Sequence, residues 1–194
     1  MIRGSQKRPL ENHVDSLFVD RWSPRAMSGE EIPEAELLTI FEAARWAPSS
    51  MNNQPWRILY ARRNSPHWQL FFDLLVDANK VWCARAAALL VFVSKTTFEN
   101  DKPCRTHTYD TGAAWMSLAL QGSMRGFVVH GMQGFNYEQA RQVLQIPEEY
   151  QVEAMAAVGL PGRTEDLSEA LQMRENPSDR RPLPQIVCEG AFSF

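Results

Sequence analysis

Three short segments of this 194-residue chain gather side chains that can hold an anion or a planar polar ligand. The first is Arg21-Trp22-Ser23-Pro24-Arg25. Pro24 biases Ser23 toward an extended conformation, and residues two apart in an extended segment point the same way. Arg21, Ser23 and Arg25 then converge on one side, where paired guanidiniums suit a phosphate through forked, charge-assisted hydrogen bonds. The competing reading is two solvated arginines in a loop. The second is Pro48-Ser49-Ser50-Met51-Asn52-Asn53-Gln54-Pro55-Trp56, dense in hydroxyls and amides between two prolines. Asn and Gln each carry a donor and an acceptor, which the polar edge of a flavin or nucleobase requires. A turn that satisfies its own backbone is the alternative. The third is Asn176-Pro177-Ser178-Asp179-Arg180-Arg181-Pro182-Leu183, whose arginines could close over an anion. Its alternative is a solvated basic tail partly neutralised by Glu175 and Asp179.

Other chemistries lack their residues. No G-x-x-x-x-G-K-[ST] or G-x-G-x-x-G occurs, so neither a P-loop nor a dinucleotide fingerprint is present. No G-x-S-x-G elbow occurs. His13, His67, His107 and His130 are scattered without metal-ligand spacing. Cys83, Cys104 and Cys188 form no C-x-x-C pair and read as small core residues of a reducing cytosol.

The elements that must position these segments follow from periodicity and breakers. A helix is expected over Val14–Val19, and a second from Pro33, with Leu37, Ile40, Phe41 and Ala44 at helical spacing and Pro48 ending it. Trp56–Ala61 reads as a strand. Asn64 or Ser65 caps a helix with Pro66 just inside, carrying Trp68, Phe71, Leu74 and Leu75. Ala86–Val93 ends in the apolar run of a central strand. His107–Arg125 is the strongest helix signal, stopped by Gly126. It is apolar or small on nearly every side, which implies burial all round, against a second subunit as well as its own sheet. Phe127–Val129 and Val152–Val158 read as strands. Asn136 with Gln139 opens a helix through Val143 and Leu144.

Apolar residues are 44% and charged residues 22%, as in a globular protein. No linker divides the chain, so one domain over residues 1–194 is expected. A net charge of −3 provides no general field for nucleic acid or anionic lipid. The first residues lack the apolar stretch of a signal peptide, and no apolar run approaches a membrane span.

Taken together, the motifs resemble the nitroreductase family of FMN-dependent flavoproteins. The likeness runs from the Arg21–Arg25 segment through Ala43–Trp56, its most specific part. It continues through Asp110-Thr111-Gly112-Ala113-Ala114, Gly131-Met132-Gln133-Gly134-Phe135, Val158-Gly159-Leu160-Pro161 and Arg180-Arg181-Pro182-Leu183. The resemblance implies an α+β fold, a mainly antiparallel mixed sheet flanked by helices, in an intertwined homodimer with FMN at the interface. It implies that Arg21, Trp22, Ser23 and Arg25 lie at the phosphate and ribityl chain. Pro48, Ser49, Ser50, Asn52 and Gln54 would meet the ribityl chain and ring, and Met132, Gln133 and Gly134 the reactive edge. Arg180 or Arg181 would bind the phosphate. The implied activity is a cytoplasmic, ping-pong oxidoreductase. It takes hydride from NAD(P)H and reduces a small electron-poor acceptor, such as a nitroaromatic or quinone, with no catalytic side chain and no metal. Alkene reduction, dehalogenation, flavin fragmentation and flavin binding without turnover are the alternatives. Family members often have a second Arg at the position of Trp22, and some an acidic residue at that of Gln133. The short Ser94–His107 stretch implies that a large helical lid is absent.

Overall fold

A computed structural model of the chain describes residues 2–194. Met1, counted in the single-domain expectation, lies outside them. The elements in order are α1 (Ser16–Asp20), α2 (Glu34–Arg45), β1 (Trp56–Arg62), α3 (Trp68–Phe72), α4 (Asp77–Cys83), β2 (Ala88–Lys95), α5 (His107–Met124), β3 (Val128–Met132), α6 (Tyr137–Val143), β4 (Tyr150–Gly159) and α7 (Glu169–Gln172). The strands form one sheet in the order β1-β2-β4-β3. All three pairings are antiparallel, so the fold is α+β and the sheet within this chain is not mixed.

The sheet is covered on both faces, which explains why β2 reads as a continuous apolar run. Side chains alternate along a strand. Leu89, Val91 and Val93 therefore join one core with Phe71, Leu74, Trp82 and Ala140. Ala88, Leu90 and Phe92 join the other with Leu37, Ile40, Ala114 and Leu118. Helix α2 packs on α5 over this second face.

Helix α5 buries one side against its own sheet within this chain. Thr111, Ala114, Leu118, Ala119 and Gly122 form a buried stripe at three- and four-residue spacing. The opposite side is open within this chain: Tyr109 is 81% and Met124 66% exposed. Gly126 ends the helix as expected, with a φ of +78° that favours glycine.

Local signals account for the other differences. Asn136 caps α6 as expected, its Oδ1 accepting from Gln139 N–H at 2.9 Å. The helix after Pro66 starts only at Trp68 and has no side-chain cap; Ser65 contributes its carbonyl, to Trp68 N–H. It stops at Phe72, so Leu74 and Leu75 lie beyond it. Helix α4 has no sequence signature, because it is short and its Val76 N-cap offers no capping oxygen. Strand β3 runs past Val129 to Met132, which brings His130, Gly131 and Met132 into the sheet beside β4.

Candidate functional site

The arginine segment leaves α1 at Arg21 with extended backbone, φ −66° and ψ 126°. Its Nη1 donates to the Trp22 carbonyl and to Ser23 Oγ, each at 3.3 Å. Arg21 and Ser23 thus share a side, as the two-residue spacing requires. The Trp22 side chain takes a different course: it is buried, and its indole N–H donates to the Ile2 carbonyl at 2.8 Å. Arg25 is anchored through its backbone. The N–H groups of Arg25 and Ala26 donate to Oε1 of buried Glu175 at 2.7 and 2.8 Å. Glu175 is therefore occupied by the main chain of this loop. His130 holds the loop from beneath, with Nδ1 donating to the Pro24 carbonyl at 2.8 Å. A carbonyl can only accept, so the tautomer carries its proton on Nδ1. Burial pushes His130 down to about 4, and the charges of Arg25 and Arg21 add to it.

Two further arginines come to Arg21. Its guanidinium is pushed below its ordinary pKa, first by burial and then by the charges of Arg8 and Arg180. Arg8 is displaced the same way, by burial and then by Arg180. Arg8 ties the segments together: Nη1 donates to the carbonyls of Val19 at 2.7 Å and Arg21 at 2.8 Å, and Nε to that of Ser178 at 2.8 Å. Of the two tail arginines, Arg180 is the one whose charge acts on both Arg8 and Arg21, and both tail arginines line one groove with Arg8, Leu183 and Ile186. Arg8 escapes sequence reading, because nothing in Lys7-Arg8-Pro9 distinguishes it from a solvated basic end. Cations that raise one another's energy on folding suit an anion between them.

Trp115 links this cluster to a cavity of about 410 Å³. The Arg21 guanidinium lies 5.9 Å from the Trp115 ring centroid. Trp115 then lines the cavity with Phe92, Thr111, Gly131, Met132, Gln133 and Glu153. Gly131 is required here, since a Cβ would stand 2.8 Å from the Trp115 ring. The Thr111 hydroxyl is buried without a partner among the described residues. Met132 is buried against Cys83, S to S 3.6 Å, while Gln133 is exposed. Gly134 accepts through its carbonyl from Asn79 Nδ2 at 3.0 Å and Val76 N–H at 3.2 Å. Sequence reading missed Trp115, Thr111 and Glu153, which sit in patterns that a core explains equally well.

The polar loop is built as a strained turn. Met51, Asn52 and Gln54 have φ of 52°, 53° and 49°, in the left-handed region that non-glycine residues seldom occupy. Such conformations persist only where surroundings impose them. Ser49 Oγ accepts from Gln54 N–H at 3.0 Å, and Gln54 Nε2 donates to the Asn52 carbonyl at 3.0 Å. Buried Asp110 on α5 accepts from Ser50 N–H at 3.1 Å. The turn therefore does satisfy part of its own backbone. The Ser50 hydroxyl and the Asn52 amide hydrogen-bond to no described residue, and Pro48 and Met51 stand at the surface. This loop does not line the Gln133 cavity. Asp110 holds it at the first turn of α5, while Thr108, Thr111 and Gly112 of the same helix line the cavity. Within one chain, Arg21, Ser23, Arg180 and the Met132–Gln133 edge come together, and the 48–54 loop stands apart.

The architecture is a helix-flanked antiparallel sheet with an arginine cluster beside an aromatic cavity. Residues 19–80 match the model of the nitroreductase family. A crystal structure described as an oxidoreductase containing FMN is 43% identical, with 96% of each chain covered and a TM-score of 0.93. An FMN complex from Desulfovibrio desulfuricans shares the fold at 24% identity, covering 95% of this chain and all of the other, with a TM-score of 0.71. A Streptomyces coelicolor protein named for NADH dehydrogenase/NAD(P)H nitroreductase activity is 40% identical over 88 residues, 45% of this chain and 43% of its own. The chain belongs to the nitroreductase family.

Proposed function

We propose that this protein is a single-domain, FMN-dependent oxidoreductase that takes hydride from NAD(P)H and passes it to an electron-poor acceptor, a nitroaromatic or quinone. The observation that carries the reading is the continuity of site parts: Arg8, Arg21 and Arg180 at one end, the Trp115 ring between, and the cavity edged by Gln133 at the other. The residues present fit the cofactor. The cation cluster has the charge to hold a phosphate, the cavity has flat apolar walls, and the partnerless Thr111 hydroxyl offers a hydrogen bond inside it. FMN, when bound, supplies reversible two-electron chemistry.

The chain's own residues bind and orient. Arg21, Arg180 and Ser23 hold the anionic end, and Arg25 borders it from a loop pinned by Glu175 and His130. Gly131 keeps the Trp115 ring close to the sheet, leaving the cavity open toward Gln133. The loop with Pro48, Ser49, Ser50, Asn52 and Gln54 belongs to the site of a partner copy in this reading, because it does not line the cavity edged by Gln133. The bare apolar face of α5 around Tyr109 and Met124 supports the homodimer that this needs. No helix among the described residues is long and apolar enough to cross a membrane. The three free cysteines fit the cytoplasmic setting proposed with it.

The test is steady-state oxidation of NADH or NADPH by the purified holoprotein with quinone or nitroaromatic acceptors. Acceptor-dependent consumption with parallel-line kinetics is the expected result. Tight FMN binding without consumption would make it a flavin-binding module instead.

A further inference from the structure

The cavity wall carries a carboxylate for which cofactor binding has no use. Glu153 on β4 lines the cavity beside Gln133, and its side chain is only 13% exposed. A carboxylate so buried needs partners. It has two hydroxyls from different elements: Ser94 Oγ of β2 and Thr108 Oγ1 of α5 both donate to Oε1, the latter at 3.0 Å. Ser94 is fully buried, and its Oγ also lies 2.7 Å from His107 Nδ1. A serine has one proton. Donated to the carboxylate, it leaves a lone pair facing His107, so Nδ1 must carry a proton and donate. The direction of the chain follows: His107 Nδ1–H to Ser94 Oγ–H to Glu153 Oε1. His107 stands 3.6 Å from that same oxygen, beyond direct hydrogen bonding, and the serine bridges the gap. The other ring nitrogen, Nε2, has no partner among the described residues, and the ring keeps 16% exposure. One end of the chain meets solvent and the other meets the cavity.

We propose that Glu153 is the proton donor to the acceptor reduced in this cavity, and that His107 and Ser94 reload it from solvent. This rests on the flavoenzyme reading above. An acceptor that has gained a hydride, drawn ultimately from NAD(P)H, holds a negative charge on oxygen or nitrogen. The Glu153 O–H bond breaks, and its proton forms a new O–H or N–H bond on the acceptor. Water protonates His107 at Nε2. The Nδ1 proton then moves to Ser94 Oγ as the proton of Ser94 moves to Glu153 Oε1. The side chains undergo no redox change. Rotation of the Ser94 hydroxyl and tautomer exchange of His107 with solvent reset the chain. The titratable groups facing Glu153 are His107 from α5 and Tyr137 from α6, whose phenol is pushed up by burial and then by the Glu153 charge. Gln151 Nε2 approaches the second carboxylate oxygen at 3.4 Å.

The test compares the holoprotein with its Ser94→Ala and Glu153→Gln variants. In Ser94→Ala, FMN affinity and the rate of flavin reduction by NAD(P)H should stay within about twofold, since Ser94 does not line the cavity and neither step needs this proton. Reoxidation by a quinone should slow by about 10²-fold, the usual scale of positioned proton transfer. The solvent deuterium isotope effect on wild-type reoxidation should change in both variants. A readout without turnover is the ring tautomer of His107 by nitrogen-15 NMR. The neutral wild-type ring should carry its proton on Nδ1, and Ser94→Ala should release it to Nε2. A His107 tautomer that is the same in the wild-type protein and in Ser94→Ala would overturn the relay. So would wild-type reoxidation rates in both variants that still bind and reduce FMN. Failure of the wild-type protein to bind FMN would overturn the flavoenzyme reading itself and the relay with it.

Discussion

Arg21 holds its charge partly buried and in the company of Arg8 and Arg180, so the folded chain maintains a repulsive cluster that an anion would relieve. If that anion is the FMN phosphate, Arg21→Ala and Arg180→Ala should each weaken FMN binding by about 10- to 100-fold, the scale of one charged hydrogen bond at ~1.5–3 kcal/mol. Arg181→Ala should change it by less than about threefold. Flavin fluorescence titration measures all three, and equal losses at Arg180 and Arg181 would contradict the assignment. His130 makes a second prediction. Its pKa falls from an ordinary 6.5 to about 4 on folding, chiefly through burial. The unfolded chain therefore binds more protons in that window, so stability rises with pH across it. Stability is lost as pH falls from about 6.5 toward 4, by at most about 3 kcal/mol. Relative to His130→Asn, the wild-type protein should lose about that much in urea unfolding between pH 7.5 and 4. Parallel pH curves for the two proteins would remove His130 as the cause.

Helix α5 organises more of the site than any other element. Its first turn holds the polar loop through Asp110, its second and third line the cavity through Thr111, Gly112 and Trp115, and its buried stripe packs on the sheet. Asp110 is 4% exposed and accepts from both Ser50 N–H and Thr106 Oγ1, each at 3.1 Å. Asp110→Ala would strand the Ser50 N–H and should cost about 1–3 kcal/mol. The expected signs are a lower urea midpoint at unchanged m-value and faster proteolysis within 48–54; an unshifted midpoint would show that the loop does not depend on α5. Legibility in the sequence divides at this scale. The extent of α5, its stop at Gly126 and the Asn136 cap were readable because periodicity and capping chemistry are local. Helix α4 was not, having neither a capping side chain nor a full apolar stripe. The convergence of Arg21 with Ser23 was readable from two-residue spacing. The arrival of Arg8 and Arg180 was not, since long-range packing brings them there. Nor was the Ser94–His107–Glu153 chain, whose members lie on three elements and match no motif.

At the scale of the whole molecule, one chain holds a crevice that its own 48–54 loop does not line. The arginines and the Gln133 edge share it, while the polar loop faces outward with unused hydrogen-bonding groups. Exposed apolar side chains at Tyr109, Met124, Trp46 and Met51 leave surface that water solvates poorly. A second copy that covers the open face of α5 and brings its 48–54 loop to the first copy's cavity would resolve both features. The most direct measurement is native mass spectrometry of the protein after incubation with FMN. The account predicts a species of two chains carrying two FMN molecules. A species of one chain that stays free of flavin at saturating FMN would contradict it.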